Sequence, residues 1–161
     1  MQIPNATGKT AEERLASLGL TLPPAAGAVA AYEPTVIANG ILYTSGQLPW
    51  IEGKLIYKGK IGAVLTAEDG YLACQLGALN AIAQLKKALG TLERVKRVIR
   101  IEGVLNTAPG FTELPAVLNG ASHLVNAVFE QRGRHTRMIY SNPDMPLDCA
   151  CLIIFWAEVA D

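Results

Sequence analysis

Near its end the chain carries eight apolar residues in succession, Cys149-Ala150-Cys151-Leu152-Ile153-Ile154-Phe155-Trp156. Side chains of a β-strand point alternately to the two faces of its sheet, so a strand built from this run is apolar on both faces. In a chain of 161 residues, helices can cover only one face of so small a sheet. The other face needs a second surface, which predicts an oligomer whose sheets pack together; a monomer calls for polar alternation here.

The remaining pattern supplies the helices and the other strands. Residues 10–18 read as a short helix, with Thr10 as cap and Glu13 closing a capping box, and Pro23-Pro24 ends it. Thr35-Val36-Ile37-Ala38 and Ile41-Leu42-Tyr43-Thr44 flank Asn39-Gly40, two residues that tolerate the positive φ of a tight hairpin turn. Thr66 and Asp69 cap a long helix in which Leu72, Leu76, Leu79, Ile82 or Ala83, and Leu89 recur at helical spacing, and Gly90 stands at its C-terminal end. Residues 95–105 return to a strand in which Gly103 reads as a bulge. A second long helix is expected from Glu113 to Glu130, capped by Thr112 with Pro115 in its first turn, where the missing N–H breaks no helical bond. Strands near 135–141 and 148–159 complete the order βββαβαββ. Two helices on one sheet make an α+β domain, here residues 25–161, preceded by an extension over 1–24 with its short helix.

Charge narrows the partners. Lys and Arg together number 14, equal to Asp plus Glu, so the chain lacks the basic surplus that phosphate backbones or anionic membranes require. The Lys86-Lys87 and Arg94–Arg100 clusters read as solvated faces. No apolar run reaches the ~20 residues of a spanning helix. Met1-Gln2-Ile3-Pro4-Asn5 has no basic region leading into an apolar stretch, so no secretory leader is expected. Cys74, Cys149 and Cys151 form no even disulfide framework, and reduced thiols in the cytoplasm follow. The expectations are therefore no nucleic acid, no membrane and a cytoplasmic location.

No P-loop, dinucleotide GxGxxG, HExxH or GxSxG occurs, and no cofactor is called for. Cys149 and Cys151 would share a strand face, but with no further ligands they read as core thiols and no metal is expected. His123 and His135 lack an evident carboxylate or cysteine partner and read as structural. Arg137 differs. It lies in a strand among apolar neighbours, where an unpaired guanidinium is costly and a carboxylate would match its planar fork. An internal salt bridge or an exposed edge charge are the plainer alternatives. Tyr43-Thr44-Ser45-Gly46-Gln47 gathers hydroxyl and amide groups that can orient a small polar ligand or simply satisfy a turn. Asn119-Gly120 in mid-helix is locally unfavourable by ~1 kcal/mol relative to alanine, so something is expected to approach that face closely.

At these residues the sequence resembles the RidA family, in particular its longer YjgF-like branch, from about Leu15 to Val159. The resemblance rests on Asn39-Gly40-Ile41-Leu42-Tyr43-Thr44-Ser45-Gly46-Gln47, on Val117-Leu118-Asn119-Gly120-Ala121-Ser122, and on Arg137 followed by Met145-Pro146-Leu147 before the last strand. It implies a chorismate mutase-like fold, a mixed sheet with two helices on one face, assembled as a homotrimer with ligand clefts between neighbours. It also implies hydrolysis of reactive 2-imino acids to 2-oxo acids and ammonia. The family's older labels, translation inhibitor and endoribonuclease, gain nothing from the balanced charge. By the same resemblance, Arg137 grips the substrate carboxylate and is the catalytic assignment. Ser45 lies in the cleft, Gly46 supplies backbone near the ligand, Tyr32 forms an aromatic wall, and Asn119 is a polar residue beside the pocket.

One position departs from the family pattern. Where the deaminases carry a water-holding glutamate on the last strand, this chain has Leu152. Asp148 would share that strand face, but four residues away, ~13 Å at strand rise, it cannot replace the glutamate. Two functions stay open: a deaminase of small 2-imino acids, and a binder or sensor of small carboxylates without turnover. A purely structural oligomerisation module, with no ligand, stays open beside them.

Overall fold

A computed structural model describes residues 5–160; Met1–Pro4, weighed above for a leader, and Asp161, the end of the expected domain, lie outside that range. The first helix, α1 (Ala11–Ser17), carries the capping box expected of Thr10 and Glu13. A hairpin follows, β1 (Thr35–Ala38) and β2 (Ile41–Thr44), and its turn places Asn39 at φ 50° and Gly40 at φ 73°, which suits these residue types. Next comes a ribbon of two-residue strands, β3 (Trp50–Ile51) and β4 (Lys54–Leu55). Helix α2 (Ala67–Leu89) has the predicted Thr66–Asp69 capping box and ends at Gly90 with φ 78°. Then follow β5 (Val95–Asn106), α3 (Leu114–Phe129), β6 (Thr136–Asn142) and β7 (Cys151–Val159).

The main sheet is mixed, in the order β1-β2-β7-β5-β6. Only the β5–β6 pair is parallel, as a connection through α3 allows. Helices α2 and α3 pack together on one face, and the core between them and the sheet holds Ile82, Leu85, Leu118, Leu124, Ile101, Ile153 and Phe155. Ala11 and Leu15 of α1 join the same core.

The last strand is apolar on both faces through Trp156, as expected. Cys151, Ile153, Phe155, Ala157 and Val159 are buried beneath the helices, while Leu152, Ile154, Trp156 and Glu158 face away from them. Register places Tyr43 and Arg100 beside Trp156, Val104 beside Leu152, and Met138 and Tyr140 beside Glu102 and Val104 on that second face. Val36, Tyr43, Met138, Tyr140 and Trp156 are exposed there. Tyr43 meets Trp156 edge-on at 5.5 Å, and the Arg100 guanidinium lies 5.7 Å above the indole while bonding Glu102 at 2.7 Å. This part of the basic cluster is therefore paired, not merely solvated.

Three local expectations fail. Gly103 is no bulge: its register with Ile139 and Ile153 is regular, and the shifts fall between Val95 and Arg97 and between Val98 and Arg100. A Cβ at Gly103 would lie 2.5 Å from Leu118 Cδ1, so glycine is there to admit α3. The N-cap of α3 is Glu113, not Thr112, and no side chain caps it. The last strand begins at Cys151, not 148, because Pro146–Asp148 form a 3-10 turn with Leu147 and Asp148 both at φ 57°. Asp148 thus shares no strand face with Leu152; its carboxylate accepts a 3.0 Å bond from Asn106 Nδ2.

Candidate functional site

Arg137 projects from edge strand β6 toward α3. Its Nη1 donates to Asn119 Oδ1 at 2.8 Å and Ser122 Oγ at 3.2 Å, and its Nη2 to the Pro115 carbonyl at 3.3 Å. All three acceptors are neutral, and among the described residues no carboxylate pairs with this arginine. The salt-bridge alternative therefore fails. A guanidinium has five N–H donors; here Nε–H and one Nη2 N–H keep no protein partner among the described residues. The group opens into a polar cavity of about 370 Å³ shared with Asn119, Ser122, His123, Asn126, Arg134 and His135.

Helix packing explains why Asn119 can reach it. A Cβ on Gly120 would overlap the Tyr71 carbonyl oxygen on α2. The mid-helix glycine thus permits the backbone contact that sequence alone only flagged as a close approach. Both histidines belong to this cavity. His123 Nδ1 lies 3.0 Å from the Tyr71 hydroxyl. His135 donates from Nδ1 to the Gly133 carbonyl at 2.5 Å, and its Nε2 lies 3.0 Å from Ser122 Oγ. Burial, with a smaller contribution from the Arg137 charge, lowers the His135 pKa below the usual 6.5. Neutral Nε2 can accept from Ser122 while Ser122 accepts from Arg137, which fixes the rotamers of all three.

Ser45, Gly46 and Tyr32 meet elsewhere, around a cavity of about 680 Å³. Chain passage from β2 into a single bridge at Gln47 and Ile153 fixes this segment against β7. Gln84 Nε2 donates to Gln47 Oε1 at 3.2 Å, and Gln47 Nε2 donates to Ser45 Oγ at 3.1 Å. Ser45 thus receives a hydrogen bond and keeps its own O–H to give. The Gly46 N–H has no acceptor among the described residues. Both are the kinds of donor that polarise a ligand oxygen or nitrogen. Gln84 was not singled out in the sequence; its signal was a polar residue, with Asn80 four positions earlier, on the buried face of an otherwise apolar helix.

Leu152 flanks this second group from the open face of the sheet. A Cβ on Gly46 would be 3.3 Å from Leu152 Cβ and Cδ2, so Gly46 packs closely against the Leu152 side chain. The three cysteines take no part. Cys74, Cys149 and Cys151 are free and buried; burial pushes the Cys149 thiol up to about 11, and a hydrogen bond to Cys74 raises Cys151. Cys149 lies before β7, so the two do not share a strand face. No group of three or more potential metal ligands occurs among the described residues.

The site residues thus fall into two half-sites with no lining residue in common. Arg137, on β6 at one edge of the sheet, meets Asn119 of α3, and Ser45 with Gly46 and Tyr32 lies outside β2. Three strand spacings of ~4.8 Å put these two strands ~14 Å apart.

Residues 12–159 match the sequence model of the family described as YjgF/chorismate mutase-like, putative endoribonuclease. Protein TCP17 of Trypanosoma cruzi is 39% identical over 146 residues, covering 90% of this chain and 91% of its own length. The crystal structure of a putative endoribonuclease from Shewanella oneidensis MR-1 superposes with a TM-score of 0.92 at 50% identity, over 94% of this chain and all of that one. Escherichia coli TdcF, crystallised with bound serine, shares the fold at a TM-score of 0.61 and 18% identity, over 86% of this chain and 94% of its own.

Proposed function

This chain belongs to the YjgF/chorismate mutase-like family, and from that footing we propose that it binds small 2-imino and 2-oxo acids in clefts between the subunits of a homotrimer and hydrolyses the imines. The observation that carries the reading is Arg137: a guanidinium held in place by three neutral acceptors, with two donors left over and a cavity in front of it. A carboxylate is the ligand group that such a fork matches best. Serine, bound in the fold neighbour TdcF, is a small amino acid carrying one.

Sheet order supports a cleft between copies. One carboxylate ligand cannot bridge ~14 Å between β6 and the end of β2 within a single chain. A second copy can present its Ser45–Gly46 segment to the first copy's Arg137. The open face of the sheet, with Val36, Tyr43, Trp156, Met138 and Tyr140 exposed, is the apolar surface such packing would cover.

In this cleft Arg137 holds the carboxylate while the Ser45 hydroxyl and the Gly46 N–H polarise the imine nitrogen. Water adds to the imine carbon and the C=N π pair moves to nitrogen, forming a carbinolamine. Its collapse forms the C=O bond and expels ammonia. Leu152 offers water no acceptor, so catalysis rests on positioning and polarisation, which can supply several kcal/mol of the barrier. Binding without turnover is the competing reading, and Leu152 is what speaks for it. The test is semicarbazide competition: an amino-acid oxidase generates 2-iminopropanoate, and the protein should lower semicarbazone yield with a dependence on its concentration. Unchanged yield alongside measurable 2-oxo acid binding would leave the binder.

A further inference from the structure

The larger cavity is poorly matched to a three-carbon ligand. At about 680 Å³ it falls in the range of pockets for much larger molecules, ~300–1,000 Å³. Its walls come from the segment after α1 and from the ribbon: Pro24, Ala26, Val29, Tyr32, Pro34 and Trp50. Helix α2 closes the back with Asn80 and Gln84. Those two amides are committed to structure. Asn80 Nδ2 donates to the Leu48, Trp50 and Leu76 carbonyls, and Gln84 Nε2 to the Ala26 carbonyl at 2.7 Å besides Gln47. Their N–H groups are thus spent on main-chain carbonyls and Gln47, with none left to meet a charged group.

Charge then fixes which end of a ligand can enter. Among the described residues the lining contains no Lys, Arg or His, and its one charged residue is Glu52. A carboxylate placed inside would meet a like charge and lose its water without a cation to replace it. An apolar side chain meets neither penalty. Ser45 and Gly46, the donors assigned to the imine, belong to the same lining, so the cavity is continuous with the reacting group.

We propose that this cavity is a side-chain pocket, and that the preferred ligands are 2-imino and 2-oxo acids with a bulky apolar side chain, aromatic or branched. The inference rests on the carboxylate-binding reading above and adds the substrate class. The α-carbon group stays at Ser45 and Gly46, the carboxylate points out of the cavity toward Arg137 of a neighbouring copy, and the side chain lies between Tyr32, Pro34 and Trp50.

Calorimetric titration of the assembled wild-type protein with pyruvate and with phenylpyruvate tests it. Burying a phenyl ring should make phenylpyruvate bind roughly tenfold tighter or better. Ala26→Trp, which fills the cavity from the loop side, should cut that preference below roughly threefold by the same arithmetic; Val29→Trp serves if Ala26→Trp does not fold. Arg137→Ala should weaken both acids. Equal affinity of wild type for the two, or a preference unmoved by a folded filling variant, would overturn the pocket while leaving the carboxylate reading in place. Failure of both acids to bind would remove the carboxylate reading and this inference with it. Phenylpyruvate binding undiminished in Arg137→Ala would show the ring held apart from the carboxylate anchor and refute the proposed orientation.

Discussion

Replacing Arg137 with alanine separates a ligand anchor from a structural one. The wild-type side chain gives three hydrogen bonds, to Asn119, Ser122 and Pro115, and none of these acceptors is charged. Ordinary hydrogen bonds contribute a net ~0.5–1.5 kcal/mol each, and bonds to a charged group ~1.5–3 kcal/mol. Here the acceptors border a cavity open to water, so most of that is recovered by rehydration when the arginine is removed. The structural loss should be about 1–2 kcal/mol, and ~2–4 °C of Tm per kcal/mol for a chain of this size gives a fall of roughly 2–8 °C. Binding loses far more. Two free donors meeting a carboxylate are worth ~3–6 kcal/mol by the same scale, a drop in affinity of at least ~10²-fold. Calorimetry with pyruvate, alongside differential scanning calorimetry, measures both. Unchanged binding with a Tm fall well beyond 8 °C would refute the anchor and leave Arg137 as a strut for α3.

Sedimentation equilibrium at micromolar concentration should give three times the 17.1 kDa chain; a stable monomer would refute both the covering of the open face and the shared cleft. Leu152→Glu should raise imine hydrolysis by up to the ~10²–10⁴-fold typical of general base assistance, read by semicarbazide competition, and a trimeric variant that binds 2-oxo acids but gains no rate would rule out the position as the missing water holder. Gly120→Ala should destabilise by about 3 kcal/mol despite alanine's better helix propensity, because its methyl meets the Tyr71 carbonyl, and a variant as stable as wild type in urea would contradict the close approach of α2 and α3. His135 has a pKa below 6.5 in the fold, so the unfolded chain binds its proton first. Stability should therefore be complete above pH 6.5 and fall as pH drops toward the folded value; His135→Gln should flatten that segment of the stability–pH curve, and an unaltered slope would refute the assignment.

What the sequence disclosed follows the range of the forces involved. Thr10 with Glu13 and Thr66 with Asp69 act within four residues, and both capping boxes form as expected. Asn39-Gly40 is equally local, and the hairpin stands where it was placed. The two apolar faces of β7 were legible because alternation is local even though the partners are not. Gly103 was not legible: a strand glycine reads the same whether it makes room for a bulge or for Leu118 of another element. The start of the last strand was not legible because Leu147 and Asp148 turn at positive φ where Gly59 and Asn106 bond Asp148 from afar, which no local pattern records. The β3–β4 ribbon, two residues a strand, is too short for periodicity to register.

The candidate residues were named from one-dimensional motifs, and what those motifs could not carry was the order of strands. Chain order puts Ser45 just after the second strand and Arg137 on the sixth; pairing inserts β7 and β5 between β2 and β6. That insertion turns a list of residues into two half-sites. If one ligand contacts both, it contacts two copies, and binding and association become one linked equilibrium. A ligand that binds only the assembled form stabilises it by RT ln(1 + [L]/Kd), ~2.7 kcal/mol at a hundredfold excess over Kd, and by reciprocity association raises ligand affinity by the same factor. Leu152 sits at the junction, on the open face and against Gly46. A side chain there answers to both demands: apolar, it favours the covering of the sheet; ionised, it would serve the water at the expense of that burial. If the copies do pack on this face, leucine at this position tilts the balance toward assembly, and under the side-chain pocket proposed above selectivity would come from apolar burial in the neighbouring cavity.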